Sequence, residues 1–216
     1  MRHNRLLPGF ALLLGLLISD ARAMADTEPV GKLVVFGTSL TARGGWRAPL
    51  ATRLSSCLKR DVSVSMVARS GATSLWGLEH VNEVVQLRPD VVVIEFYAND
   101  AALNRMVTLG RSRETIDGIL TELRQRLPRA RLIVQVMNPF SGIRGMIRPF
   151  VDNYIDAHLA QAKHHGAEIV DHRPVWLAMP ASELANAIPD GAHPLPDAAA
   201  KVIVPSLARQ IGGTDC

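Results

Sequence analysis

The chain has 216 residues, 48% of them apolar, 20% charged and 5% aromatic, enough apolar material for one sizeable core. That balance excludes a disulfide-scaffold miniprotein and a disordered tail. A formal charge of +4 would point to nucleic acid or an acidic membrane surface if it belonged to the folded part of the chain.

Much of that charge sits at the N-terminus. Arg2 and Arg5 precede an apolar run of 13 residues, 6–18, which is followed by Ala21-Arg22-Ala23. This is the charged, apolar, small-residue order of a secretory signal, and the run is shorter than the roughly 18 to 20 residues of a spanning helix. We expect a signal peptide at 1–23, cleaved after Ala23 or after Ala25, with an uncleaved anchor as the alternative. The product is then exported, periplasmic or secreted, and has no stable membrane anchor. Loss of Arg2, Arg5, Arg22 and Asp20 leaves a formal charge of +2. With no basic stretch interleaved with aromatics, nucleic acid is excluded as a partner. The two cysteines, Cys57 and Cys216, lie far apart, and no Cys/His cluster has metal-ligand spacing, so no metal is expected.

Residues 26–216 contain no repeat, low-complexity tract or long linker and read as one domain, expected to be a monomer. A strand at 32–36 (KLVVF) is followed by a helix at 46–59, with Leu50, Leu54 and Leu58 on one face. A second strand, 62–67, leads to a helix at 74–87 that stops before Arg88-Pro89. The third strand, 91–96 (VVVIEF), precedes a helix at 112–127, with Ser112 as its expected cap and Pro128 as its stop. The fourth, 132–137, leads to a helix at 147–165 ending at Gly166, a left-handed cap. The fifth, 167–170, leads to a last helix at 196–211 before Gly212-Gly213. Five strands, two of them nearly continuous apolar runs, alternating with helices predict an α/β three-layer sandwich with a parallel sheet covered on both faces. Ligand-binding loops then lie at the carboxyl ends of the strands.

Four segments at those ends could carry chemistry. Gly37-Thr38-Ser39-Leu40 presents a serine directly after a buried strand, although such residues are also ordinary turn and cap composition. Gly71, after the second strand, permits close approach of a backbone N–H, or is a simple turn glycine. Asn99 can donate a side-chain N–H to an oxyanion, and Asp100 can fix its loop; a strand-ending Asx turn is the plainer reading. Asp190 and His193 lie three residues apart in a loop stiffened by Gly191 and Pro194, the proximity an acid needs to orient an imidazole. Of the other histidines, His3 falls in the signal, His80, His158, His164 and His165 are expected on helix surfaces, and His172 follows the last strand.

Taken in order, Gly37-Thr38-Ser39-Leu40, Gly71, Ala98-Asn99-Asp100 and Asp190-x-x-His193-Pro194 resemble the four motifs of the SGNH, or GDSL-like, hydrolase family. The resemblance runs from residue 32 to about residue 211. It implies a flavodoxin-like five-stranded parallel sheet of order 2-1-3-4-5 and a serine ester hydrolase that needs no cofactor. By similarity Ser39 is the nucleophile, His193 the general base and then acid, and Asp190 the group that orients His193. The backbone N–H groups of Ser39 and Gly71 and the Asn99 amide form the oxyanion hole. Two positions depart from the family pattern. Thr38 replaces the usual aspartate, which we read as altered loop anchoring, and Ala98 stands where glycine is frequent.

Substrate class is less constrained. Residues 138–149 follow the fourth strand on the active-site side, where Arg144 and Arg148 could hold an acidic sugar or a phosphate head group. Phe140, Ile143 and Met146 could take an acyl chain; a solvated loop with apolar anchors is the alternative. Trp46 and Trp76 could stack on a sugar face or simply pack in the core. The expected activity is removal of O-acetyl or other short acyl groups from a carbohydrate or small ester. Alternatives are a lysophospholipase, long-chain esterase or thioesterase, acyl transfer to a sugar hydroxyl, and a non-catalytic polysaccharide-binding or assembly protein. In the family's strand order the first and last helices share one face, so a Cys57–Cys216 disulfide is feasible.

Overall fold

Five strands, Lys32–Gly37 (β1), Ser63–Ala68 (β2), Val91–Glu95 (β3), Arg131–Val136 (β4) and Glu168–Asp171 (β5), form one sheet in a computed structural model that describes residues 30–216. Their order is β2-β1-β3-β4-β5 and every pairing is parallel. Each strand lies within one residue of its predicted bounds. The signal expected at 1–23 lies outside the described residues.

Side chains alternate between two cores, as the twofold period of a strand requires. Leu33, Val35, Val91, Val93 and Ile133 face one side; Val34, Phe36, Val92, Ile94, Leu132 and Val134 face the other. The helices are Ser39–Ala42 (α1), Arg47–Leu58 (α2), Ser74–Gln86 (α3), Tyr97–Asp100 (α4), Leu109–Arg126 (α5) and Gly142–Met146 (α6). Val151–His164 (α7), Arg173–Leu177 (α8), Ala181–Ala187 (α9) and Pro196–Gly212 (α10) complete them. Leu50 and Leu54 of α2 join Ile203 and Leu207 of α10 in the first core. Val81 and Val84 of α3, Ile116, Ile119 and Leu120 of α5, and Ala162 of α7 fill the second. Each such buried Leu or Ile contributes about 1.5 to 3 kcal/mol of hydrophobic stabilisation.

Two helix starts differ from expectation. The helix expected from Ser112 begins at Leu109, capped by Thr108, whose hydroxyl accepts from the Arg111 N–H at 3.2 Å. Ser112 instead sits buried inside α5 and bonds Asp100. The helix expected from residue 147 begins at Val151, because Pro149 disfavours the helical region for Arg148, and the shorter α6 occupies the loop before it. Helix α7 ends as expected, with Gly166 at φ +59°.

Cys57, near the end of α2, is joined by a disulfide to Cys216, four residues beyond α10, with their Cα atoms 5.3 Å apart. The bridge closes the sheet face covered by α2 and α10. No helix among the described residues is long and apolar enough to cross a membrane.

Candidate active site

The site forms where β1 and β3 end side by side. Thr38 leaves β1 extended and caps α1, its hydroxyl accepting from the Leu40 N–H at 3.2 Å, so Ser39 opens the helix. Beneath this turn lies Glu95, the last residue of β3 and fully buried. One of its oxygens accepts from the Thr38 N–H at 2.7 Å, the Thr38 hydroxyl at 2.9 Å and the Thr41 hydroxyl at 2.8 Å. Burial pushes the carboxyl up from 4.5 to about 7, against these hydrogen bonds. Gly37 has no room for a side chain, since a Cβ there would lie 2.5 Å from Glu95 Oε1 and 2.8 Å from the Glu95 carbonyl oxygen. The anchoring role expected of Thr38 is thus explicit: it donates to Glu95, where an aspartate would oppose a second carboxylate.

Ser39 Oγ lies 2.8 Å from His193 Nε2, and His193 Nδ1 lies 2.7 Å from Asp190 Oδ2. An ionised carboxylate only accepts, so Nδ1 carries the ring proton and Nε2 accepts from the Ser39 hydroxyl. The other Asp190 oxygen accepts from the backbone N–H groups of Ala192 (2.9 Å) and His193 (2.7 Å). Burial works against the Asp190 charge, but these bonds and the His193 ring outweigh it and hold the carboxyl well below the usual carboxylate range. The loop is pinned to the end of β4: Asn138 Nδ2 donates to the Ala192 carbonyl and the Ser141 N–H to the Gly191 carbonyl, each at 2.9 Å. Gly191 itself is at φ +74°, the left-handed conformation that glycine adopts without strain.

Opposite Ser39, Gly71 turns at φ +80° and Asn99 projects from α4. Among the described residues, neither the Ser39 nor the Gly71 backbone N–H donates to another group. Asn99 Nδ2 spends one hydrogen on the Ala72 carbonyl at 2.8 Å and keeps the other. Asp100 fixes α4 from behind, accepting from the Ser74 N–H (2.8 Å), the Ser74 hydroxyl (2.6 Å) and the Ser112 hydroxyl (2.6 Å). His158, expected on a helix surface, is buried with Nε2 3.4 Å from Asp100 Oδ2. Burial of Asp100 is outweighed by His158, Ser112 and Ser74, which hold its carboxyl below the ordinary value. These contacts hold three N–H donors around the space in front of Ser39, an arrangement able to stabilise an oxyanion.

The GDSL-like Lipase/Acylhydrolase family model matches residues 35–201. The chain belongs to that family. As a GDSL-like acylhydrolase it is a serine-type carboxylic ester hydrolase. Its fold is similar to that of a lipase/acylhydrolase from Enterococcus faecalis, at 24% identity and TM-score 0.72, covering 85% of this chain and 96% of that one. An acetylxylan esterase from Geobacillus stearothermophilus is similar at 19% identity and TM-score 0.72, covering 86% and 97%. An alpha/beta hydrolase enzyme from the metagenome of Lake Arreo, Spain, is similar at 22% identity and TM-score 0.70, covering 85% and 95%. A comparison with curated protein sequences finds no match.

In this acylhydrolase Ser39 and His193 stand between two hollows. One, of about 220 Å³, is bounded by Gly71, Asn99 and four arginines, Arg43, Arg105, Arg144 and Arg148. The other, of about 300 Å³, is lined by Leu40, Pro189, Pro194, Leu195 and Pro196. Arg144 borders the first hollow, with Nη2 3.9 Å from Asp190 Oδ2. Arg148 also borders it, but its guanidinium is largely committed: Nε donates to the Ala98 carbonyl at 2.6 Å, Nη1 to the Arg144 carbonyl at 2.9 Å, and the group stacks 4.6 Å over Phe140. Ile143 and Met146 point to solvent, 78% and 76% exposed, and line neither hollow.

Neither tryptophan lines either hollow. Trp46 is fully buried and its Nε1–H holds the Leu40 carbonyl at 3.2 Å; Trp76 packs among Phe36, Phe96 and His80. Sequence reasoning missed Arg43 and Arg105, exposed residues with no pattern of their own to mark them. Asp117, His164 and His165 have ligand-like spacing among the described residues, with His165 Nε2 2.7 Å from Asp117 Oδ1. His164 and His165 stand at the end of α7 and Asp117 on the neighbouring α5.

Proposed function

We propose that the chain is an exported acylhydrolase that removes short acyl groups, O-acetyl first among them, from a carbohydrate or small ester. The unbroken relay from Ser39 through His193 to Asp190, facing three N–H donors across a hollow of about 220 Å³, carries this reading. Ser39 Oγ attacks the carbonyl carbon while its proton passes to His193 Nε2. Asp190 holds the Nδ1 proton and balances the imidazolium charge. The carbonyl oxygen, now anionic, faces the N–H groups of Ser39, Gly71 and Asn99. Collapse expels the alcohol, which takes the proton from Nε2, and leaves an acyl-serine. Water then repeats the attack, with His193 as base, releasing the acid and restoring Ser39.

The narrow oxyanion-side hollow supports a short acyl group, and likeness to an acetylxylan esterase agrees with a carbohydrate alcohol. The Cys57–Cys216 bridge suits an oxidising compartment, consistent with export. The apolar hollow beyond Leu40 favours a second reading, a lysophospholipase or long-chain esterase. Acetate release from acetylated polysaccharides, measured beside p-nitrophenyl acetate, octanoate and palmitate with Ser39→Ala as the blank, separates the two. Preference for the palmitate ester overturns the short-chain reading, and equal hydrolysis by Ser39→Ala overturns the serine mechanism. An intact N-terminal Met1 on protein recovered outside the cytoplasm overturns signal cleavage.

A further inference from the structure

Four guanidinium groups border the hollow in front of Ser39, with little acid to balance them. Arg43 and Arg105 are exposed and pair with no carboxylate among the described residues. Arg144 comes no closer than 3.9 Å to Asp190, a carboxylate already engaged by His193 at 2.7 Å. Arg105 stands beside the oxyanion turn, since a Cβ on Gly71 would lie 2.7 Å from Arg105 Nη2. Arg148 feels its neighbours: burial first, then the charges of Arg144 and Arg105, lower its proton affinity. Like charges gathered at one wall repel one another, and an anion seated among them relieves that repulsion. A guanidinium is also the side chain whose planar fork matches carboxylate and phosphate oxygens.

We propose that Arg43, Arg105 and Arg144 form an anion subsite, so that the preferred substrate is an acylated acidic carbohydrate with a carboxylate or phosphate near its scissile ester. The proposal rests on the ester-hydrolase reading and adds to it the charge of the alcohol. Arg148, held by the Ala98 and Arg144 carbonyls, is the fixed strut from which Arg144 extends.

The test uses O-acetylated methyl glucoside, O-acetylated methyl glucuronoside and O-acetylated glucose 6-phosphate, with kcat/KM read from acetate release. The acidic sugars are expected to be favoured over the neutral one by roughly 10- to 100-fold at low salt, a preference that shrinks as salt is raised. The two acidic sugars separate carboxylate from phosphate. Arg43→Gln and Arg105→Gln should each move the acidic-to-neutral ratio toward one, whereas Arg113→Gln, on the exposed face of α5, should leave it unchanged. Binding of the same three sugars to Ser39→Ala protein, followed calorimetrically, reads the subsite without turnover. Equal binding of acidic and neutral sugars, or a preference that survives both arginine substitutions, overturns the subsite. Absence of Ser39-dependent cleavage of p-nitrophenyl acetate overturns the hydrolase reading instead, and the binding measurement still decides the subsite.

Discussion

Glu95→Gln is the most direct probe of how the nucleophile turn is held. The carboxyl is buried beneath Thr38 and its pKa rises from 4.5 to about 7, burial outweighing the three hydroxyl and amide donors that favour the charge. In the unfolded chain the group ionises near its ordinary value. Between the two values the folded state holds more proton than the unfolded state, so stability falls as pH rises. The contribution is fully present below about pH 4.5 and lost as pH rises through about 7; at 1.36 kcal/mol per pKa unit it amounts to about 3 kcal/mol. Glutamine keeps an oxygen for the Thr38 N–H, and its amide can donate to the threonine hydroxyls without any charge to desolvate. Urea denaturation of both proteins, followed by fluorescence of the buried Trp46 and Trp176, should show wild type losing about 2 to 3 kcal/mol relative to Glu95→Gln between about pH 5 and about pH 8. Other titrating groups cancel in that difference. A difference independent of pH would refute the assignment of a raised Glu95 pKa.

Asn99→Ala should lower kcat by roughly 10² to 10³ with little change in KM, because the lost hydrogen bond strengthens only as the oxyanion develops. A kcat within twofold of wild type would remove Asn99 from the oxyanion hole. Replacing both Cys57 and Cys216 by serine should cost about 2 to 5 kcal/mol in urea denaturation, since the bridge closes a loop spanning 159 residues of sequence separation. Unchanged stability would show that packing of α10 on α2 holds the C-terminus without the bridge.

The layers were legible because their signals are local, whereas the strand order came from the family resemblance. A strand covered on both faces must be apolar nearly throughout, and VVVIE and KLVVF are so; α2 shows its buried stripe through Leu50 and Leu54. The helices that escaped notice, α1, α4, α6, α8 and α9, span only four to seven residues, too short to establish a period. Ser112 misled for another reason. Its hydroxyl looked free to cap a helix, but it is taken by Asp100, a partner supplied by the fold rather than by the neighbouring turn. His158 fails the same way: a histidine on a helix reads as solvated until the carboxylate that buries it, 58 positions earlier, is brought alongside.

The five motif groups were legible as a set because each sits at a strand end or in a rigid loop, places the chain marks with glycine, proline and the close of an apolar run. What surrounds them was not. Arg43 and Arg105 are exposed, and exposed residues carry no periodicity; only the meeting of the segments that follow β1 and β3 brings them to one hollow. Arg148 shows the converse, since a basic residue in an active-site loop reads as a ligand, yet its stem is buried and its nitrogens support the Ala98 turn. Thr38 joins the two cases. From sequence it is only a departure from the family's aspartate. The carboxylate that turn needs is Glu95, on the neighbouring strand, and a hydroxyl donor at position 38 lets that buried acid bear three hydrogen bonds without a second negative charge against it.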